Sequence, residues 1–316
     1  MKYLKKFLNH AGYESYLVGS EFPKTESKPT VQFCKLQNEV HYNKYIPYNL
    51  LDILYANTNG KKKVDSTVLD PSLGYTPIGL CIASSGFFGT GEKARWMSLK
   101  YMNCDAPETG SLTAQGIFFG KNNDINTIDN ILATYNGGPS WGNLTADWIT
   151  KTENKIPTLF TEDNEWNISV LGTVNTYAVT DIDGKNKTDK ILAIATAQSD
   201  WRTSTTIINN KDDVDYAPAA CCCARYHTIG TQAGDWYLGA CGEMSMITVL
   251  KPQINNKLTQ IATQYPNNCI RSLSNDYYWT STEYGNNSIY SVNTNTGLIN
   301  YIPKGSNIYV VAILTF

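Results

Sequence analysis

The sequence predicts an α+β fold: an antiparallel β meander with two helices in its C-terminal third, a β hairpin near residue 80, and a helical arm at the N-terminus. Three observations predict it. Residues 76–83 and 308–314 are short, apolar, β-branched runs, and the strand-like runs from 277 onward are separated by Gly- and Asn-containing turns. Residues 218–227 and 241–250 carry helix signals instead, with Pro218 suited to a first helical turn and apolar positions at Met244, Ile247 and Val249. Charge is scarce, at 17 % of 316 residues, against roughly 25 % in an average soluble domain. The polar character comes from 31 Asn, 33 Thr and 21 Tyr, which points to a hydrogen-bonding surface.

Composition also excludes function classes. With 26 basic and 28 acidic residues the net charge is −2, which argues against a nucleic-acid partner that must be neutralised phosphate by phosphate. No apolar run reaches the roughly 18 residues of a membrane span. Aromatic and β-branched residues are too abundant for a disordered chain. Asn9, His10, Glu14 and Ser15 interrupt the apolar stretch that a secretory leader needs, so folding in a reducing cytosol is expected. The eight cysteines fit that expectation. Cys221, Cys222 and Cys223 are adjacent, no pair shows the two-residue spacing of a zinc site, and buried free thiols with no metal or cofactor are expected.

The elements follow in order. Leu4, Phe7, Leu8, Ala11 and Tyr16 make one apolar stripe of a helix over residues 2–18. A polar stretch, a short apolar segment and the lysine turn at 61–63 complete an N-terminal arm or docking segment over 1–65. The main domain is expected over 66–316. Its opening hairpin pairs 76–83 with 94–102, and Gly86, Gly89 and Gly91 form the loop, since no Lys-Ser/Thr follows as a phosphate loop requires. Residues 105–215 read as a loop-rich insertion pinned by Trp141, Trp148, Trp166 and Trp201. Within it, Asp181, Asp183, Gly184 and Asn186 alternate like calcium ligands but lack the closing glutamate, so an Asp-Gly turn is expected.

From Tyr216 the pattern is denser. Ala220, Cys223, Ala224 and His227 fall on one helical face, which reads as small residues packed on a sheet with a packed or capping histidine. The short aromatic strand of Gly234-Asp-Trp-Tyr-Leu follows, then the helix that begins at Cys241 and breaks at Pro252 before an apolar segment over 254–264. The chain closes with Tyr277-Tyr-Trp-Thr-Ser-Thr-Glu-Tyr and three further strands over 288–292, 298–302 and 308–314.

The helix, the Gly-Asp-Trp-Tyr-Leu segment with its Gly-Glu-Met continuation, the Tyr-Trp-Thr-Ser-Thr-Glu-Tyr strand and the closing Tyr-Val-Val-Ala-Ile-Leu strand together resemble the C-type-lectin-like domains of phage and bacterial surface proteins, relatives of the formylglycine-generating-enzyme fold. The resemblance covers 216–316 well and 66–110 loosely. This chain has Gly239, Ala240 and Val311 where that family usually has Pro, Ser and Arg. Lys5-Lys-Phe-Leu-Asn-His and Asn38-Glu-Val-His-Tyr-Asn also resemble the leaders of virion proteins from crAss-like phages that infect Bacteroidales.

These resemblances imply a phage virion protein, a head or tail fibre or decoration protein, docked to other virion proteins through 1–65 and presenting a lectin-like domain for host attachment. A host surface glycan or protein is the implied ligand, and a homo-oligomer such as a trimer the implied assembly. Tyr284, Asn286, Asn287, Tyr290, Asn293, Asn295, Tyr301 and Asn307 are the expected contact residues, because Tyr supplies rigid amphipathic area and Asn adaptable hydrogen bonds. Ordinary turn asparagines and cross-strand tyrosines are the structural alternative. No enzyme is expected. The alternatives are an oxidising enzyme of the formylglycine-generating type, for which Cys241 and Cys269 are the candidate thiols, and a bacterial surface adhesin.

Overall fold

Trp96, Met97, Ser98 and Leu99 are consecutive and all buried, so the strand that holds them has cover on both faces. The computed structural model describes residues 49–88, 91–120, 181–211, 216–285 and 288–316. The expected helix over 2–18, Cys34, Trp141, Trp148, Trp166, Asn286 and Asn287 lie outside them.

The strand is β4 (Arg95–Tyr101), in a six-stranded sheet with β1 (Ile53–Asn57), β2 (Lys62–Asp65), β3 (Tyr75–Ala83), β6 (Trp236–Leu238) and β11 (Val311–Thr315). The order is β2-β1-β3-β4-β11-β6, and every pairing is antiparallel. β1 and β2, which the sequence grouped with the arm, therefore belong to the main sheet.

Strand alternation sorts the side chains into two cores. Ile53, Tyr55, Leu80, Ile82, Met97, Leu99 and Ile313 face one core, completed by α3 (Cys241–Val249) and α4 (Lys251–Gln264). Leu54, Ile78, Cys81, Trp96, Trp236, Ala312 and Leu314 face the other, completed by α1 (Gly184–Ile194), α2 (Pro218–Arg225) and Trp201. Every residue of α2 is buried, and its Ala and Cys side chains let the helix lie close to the sheet, as their small size predicts. Ile254, Leu258, Ile261 and Ala262 form the stripe that α4 buries, and each branched side chain contributes roughly 1.5–3 kcal/mol. Pro252 occupies the first turn of α4, so it starts a helix where the sequence pattern placed only a break.

Three further expectations are corrected. The described residues contain four α-helices of eight or more residues, not two. Asp183 and Gly184 open α1 and do not form a turn. Gly184 sits so close to its neighbours that a Cβ there would lie 2.5 Å from Ala240 N and press on Glu243 Oε2, which leaves glycine as the residue that fits. The expected four-stranded meander also divides. β7 (Tyr277–Gly285), β8 (Ser288–Asn293) and β9 (Ile299–Pro303) form their own antiparallel sheet, whereas β10 (Asn307–Ile308) pairs with β5 (Ile117–Phe118) and β11 enters the large sheet. The last strand has apolar side chains for both cores, so burial on two faces outweighs pairing with its sequence neighbour.

The N-terminus of α3 is the point where these parts join. Its first N–H groups have no helical partner of their own and must find acceptors elsewhere. Ala240 N donates to Glu243 Oε2 at 2.9 Å, Cys241 N to Thr282 Oγ1 at 2.9 Å, and Gly242 N to Asp181 O at 2.7 Å. Glu243 Oε1 in turn accepts from Arg95 Nε at 2.5 Å and from the Tyr237 hydroxyl at 2.8 Å. Asp181 contacts Lys187 Nζ and accepts from Thr282 Oγ1 at 2.7 Å. Burial raises the carboxyl pKa of Glu243, opposed chiefly by Arg95, and pushes the Lys187 ammonium well below its ordinary value, opposed chiefly by Glu243.

Gly184→Ala is expected to destabilise the protein by about 1–3 kcal/mol, the usual range for overpacking a closed site. Comparing urea midpoints of the variant and the parent chain checks this, and an unchanged midpoint would show that the α1–α3 contact is looser than described.

Candidate recognition surface

The β7–β9 sheet carries four of the expected contact residues, Tyr284, Tyr290, Asn293 and Tyr301, and its register decides which of them meet. Tyr290 pairs directly with Tyr301, and Glu283 pairs with Ile289, which turns Tyr284 to the same face as Tyr290. The three rings cluster. Tyr284 stacks on Tyr301 with centroids 4.3 Å apart and planes 10° apart, and meets Tyr290 edge-on at 5.3 Å. Tyr284 is 40 % and Tyr301 53 % exposed. The other large exposed apolar side chains, Leu73, Leu112, Ile208 and Ile229, lie outside any strand.

The backbone beneath this cluster is fixed. Ile289 and Trp279 pack on the opposite face, and Trp279 Nε1 donates to Ile117 O at 2.7 Å. Thr280 Oγ1 donates to Tyr290 O at 2.6 Å. Lys304, just past β9, donates to Glu283 Oε1 at 3.0 Å, and both side chains are fully buried. These contacts make the tyrosines a preorganised patch on strands.

Of the described asparagines, Asn293, Asn295 and Asn307 sit apart from it. Asn293 Oδ1 accepts from Asn295 N at 2.9 Å and Thr296 N at 3.0 Å, an Asx turn that closes the β8–β9 connection. Asn293 ends β8 three residues beyond Tyr290, so both it and exposed Asn295 sit toward the far end of the strand. Asn307 is exposed on β10 and lies over Gly116. Asn286 and Asn287 lie outside the described residues.

The other candidates have structural roles. His227 follows α2 rather than sharing its face, and places Nδ1 3.3 Å from Arg225 O and Nε2 3.3 Å from Glu108 Oε1. Cys241 opens α3 in the first core, and the seven described cysteines are all buried. Burial pushes the Cys241 and Cys269 thiols up to about 12, and raises Cys81, Cys221, Cys222 and Cys223 further still. Among the described residues no cluster of three or more His, Cys, Asp or Glu is arranged to hold a metal, and no helix is long and apolar enough to cross a membrane.

Sequence reasoning missed Arg95, Lys187, Glu243, Glu283 and Lys304 as buried charges, and placed Asp181 only in an Asp-Gly turn. The available signal was an acidic residue inside an otherwise apolar or hydroxyl-rich segment, as in Gly242-Glu-Met and Thr282-Glu-Tyr.

No family model matches the chain, and no curated protein matches it. Among solved structures, a fimbrial protein from Bacteroides ovatus is similar, at a TM-score of 0.44 and 14 % identity, over 85 % of this chain and 49 % of that one. The chain thus spans about half the length of that protein.

The folded, reduced protein is expected to react slowly with a thiol reagent at all seven described cysteines, and rapidly once denaturant is added. A described cysteine modified within seconds in the native state would contradict the burial described above.

Proposed function

We propose that this chain is a non-enzymatic recognition protein of the surface-adhesin kind, in which the β7–β9 sheet presents Tyr284, Tyr290 and Tyr301 to a glycan or protein on another surface. The observation that carries the reading is the exposed stack of Tyr284 on Tyr301, held by strands whose reverse face is buried. Tyrosine offers a large contact area with little conformational entropy to lose, and its hydroxyl adds a hydrogen bond. Placing the rings on strands removes the ordering cost that a loop would carry. The buried thiols support a binding role over an enzyme that oxidises a substrate cysteine, which needs an accessible thiolate.

The lectin-like reading of 216–316 belongs to the same proposal; the succession α2, β6 and α3 supports it, while α4 and the divided meander depart from what the resemblance implies. Display on a phage particle through 1–65 would use the same sheet. Display as an adhesin is the reading adopted, since the virion reading leans on sequence before residue 49, outside the described residues. Self-association into a trimer is part of neither argument.

The test is binding of the labelled full chain to a panel of surface polysaccharides and whole bacterial cells. Tyr301→Ala and Tyr284→Ala should each weaken binding by about 5- to 100-fold, the range for a central aromatic contact. Their melting temperatures should stay within a few degrees of the parent, as for exposed positions. Full binding by both variants would overturn the proposal.

A further inference from the structure

We propose that Cys104 and Cys222 are a disulfide-forming pair, a covalent staple between the segment after β4 and helix α2. Their Sγ atoms lie 3.1 Å apart in the second core, where both residues are buried. A disulfide bond is roughly 2.05 Å long, so closure needs about 1 Å of movement. Cys221, Cys222 and Cys223 occupy successive positions of α2, each turned by about 100° from the last, and it is Cys222 whose sulfur the structure places on Cys104.

Neighbouring contacts already hold the two segments in register. Ile207 N donates to Cys104 O at 2.7 Å and ties that residue to the segment before α2, while Tyr226 N donates to Cys222 O at 3.0 Å within the last turn of α2 itself. Four residues beyond Cys104, Glu108 O accepts from His227 N at 3.1 Å and Glu108 Oε2 from Arg225 Nη2 at 3.1 Å. The Glu108 contacts therefore hold the segment after β4 against the end of α2 independently of any contact between the sulfurs.

The chemistry balances with a low-molecular-weight disulfide such as oxidised glutathione. One protein thiolate attacks a glutathione sulfur and releases one glutathione thiolate. The second protein thiolate then attacks the mixed disulfide at the protein sulfur and releases the other. Two protein thiols are oxidised and one glutathione disulfide is reduced to two thiols. Burial keeps the Cys222 thiol protonated in the closed structure, so exchange takes place as the chain folds, before the second core seals. In a reducing compartment the pair stays as two thiols. The two cysteines are 118 positions apart, and the closed loop takes in most of the chain between β4 and α2. A crosslink of that span restricts the unfolded chain and raises the unfolding midpoint.

The test uses the full chain refolded from denaturant in a glutathione redox buffer, then unfolded again without reductant, alkylated in denaturant and mapped by mass spectrometry. Of the eight cysteines, six should remain alkylatable, with Cys104 and Cys222 recovered in one crosslinked peptide. Chain secreted into an oxidising compartment and purified without reductant is a second preparation read in the same way. Cys222→Ser should abolish the crosslink and Cys221→Ser should keep it. Dithiothreitol should lower the urea midpoint of the oxidised parent and leave that of Cys222→Ser unmoved. Eight alkylatable thiols in both preparations, or a crosslink joining other cysteines, would overturn the proposal.

Discussion

The N-terminus of α3 is the constraint on which the remaining structure depends. A helix start inside a protein leaves several N–H groups without acceptors, and each one left unmet costs about 1–3 kcal/mol. Here the acceptors come from three separate parts of the chain: Glu243 from the helix itself, Thr282 from β7, and the Asp181 carbonyl from the segment before α1. Satisfying that one helix end therefore fixes where β7 and α1 must lie. Ala240 has no side-chain oxygen to reciprocate, so Glu243 supplies its half of a capping box alone.

Glu243 must also meet its own demand. A fully buried carboxylate is stable only with charge-assisted hydrogen bonds around it, and Arg95 and Tyr237 provide them from β4 and β6. The result links neighbouring layers of the protein, because Arg95 shares its face of β4 with Met97 and Leu99 of the first core. The same device recurs at Glu283 and Lys304, where a buried pair joins the ends of β7 and β9 beneath the tyrosines. Buried pairs of this kind add little net stability over well-packed apolar residues. What they add here is position: a carboxylate that must find its cation leaves the small sheet one way to sit.

Much of the fold was legible from residues 75–101 and 216–316. Residues 76–83 and 94–102 form the expected hairpin, the small residues of α2 pack on the sheet, the aromatic strand falls within Gly234-Asp-Trp-Tyr-Leu, and α3 starts at Cys241 as expected. Local pattern was enough there because burial and turn chemistry agree with the strand and helix periods. It failed where tertiary burial decides. Residues 307–315 look like one more strand of a meander, yet Val311, Ile313, Ala312 and Leu314 alternate between two cores, which only a sheet covered on both faces provides. Gly184 reads as a turn glycine because the neighbour that requires it, Glu243, is 59 positions away in sequence. Gly239 shows the same effect: a Cβ would lie 2.7 Å from Ile313 Cγ1. Of the expected contact residues, the tyrosines could be grouped by strand alternation once register is known. Asn293 closes a turn, as its turn propensity alone would have it.

The central claim is that Arg95 and Glu243 act as one unit holding the sheet to α3. A double-mutant cycle with Arg95→Met and Glu243→Met, read by urea unfolding, tests it most directly. Each single change should destabilise by about 3–5 kcal/mol, since it strands a buried charge, and the double change should lose far less than the sum. Additive losses, or a single change costing under about 1 kcal/mol, would show that the pair does not organise the fold.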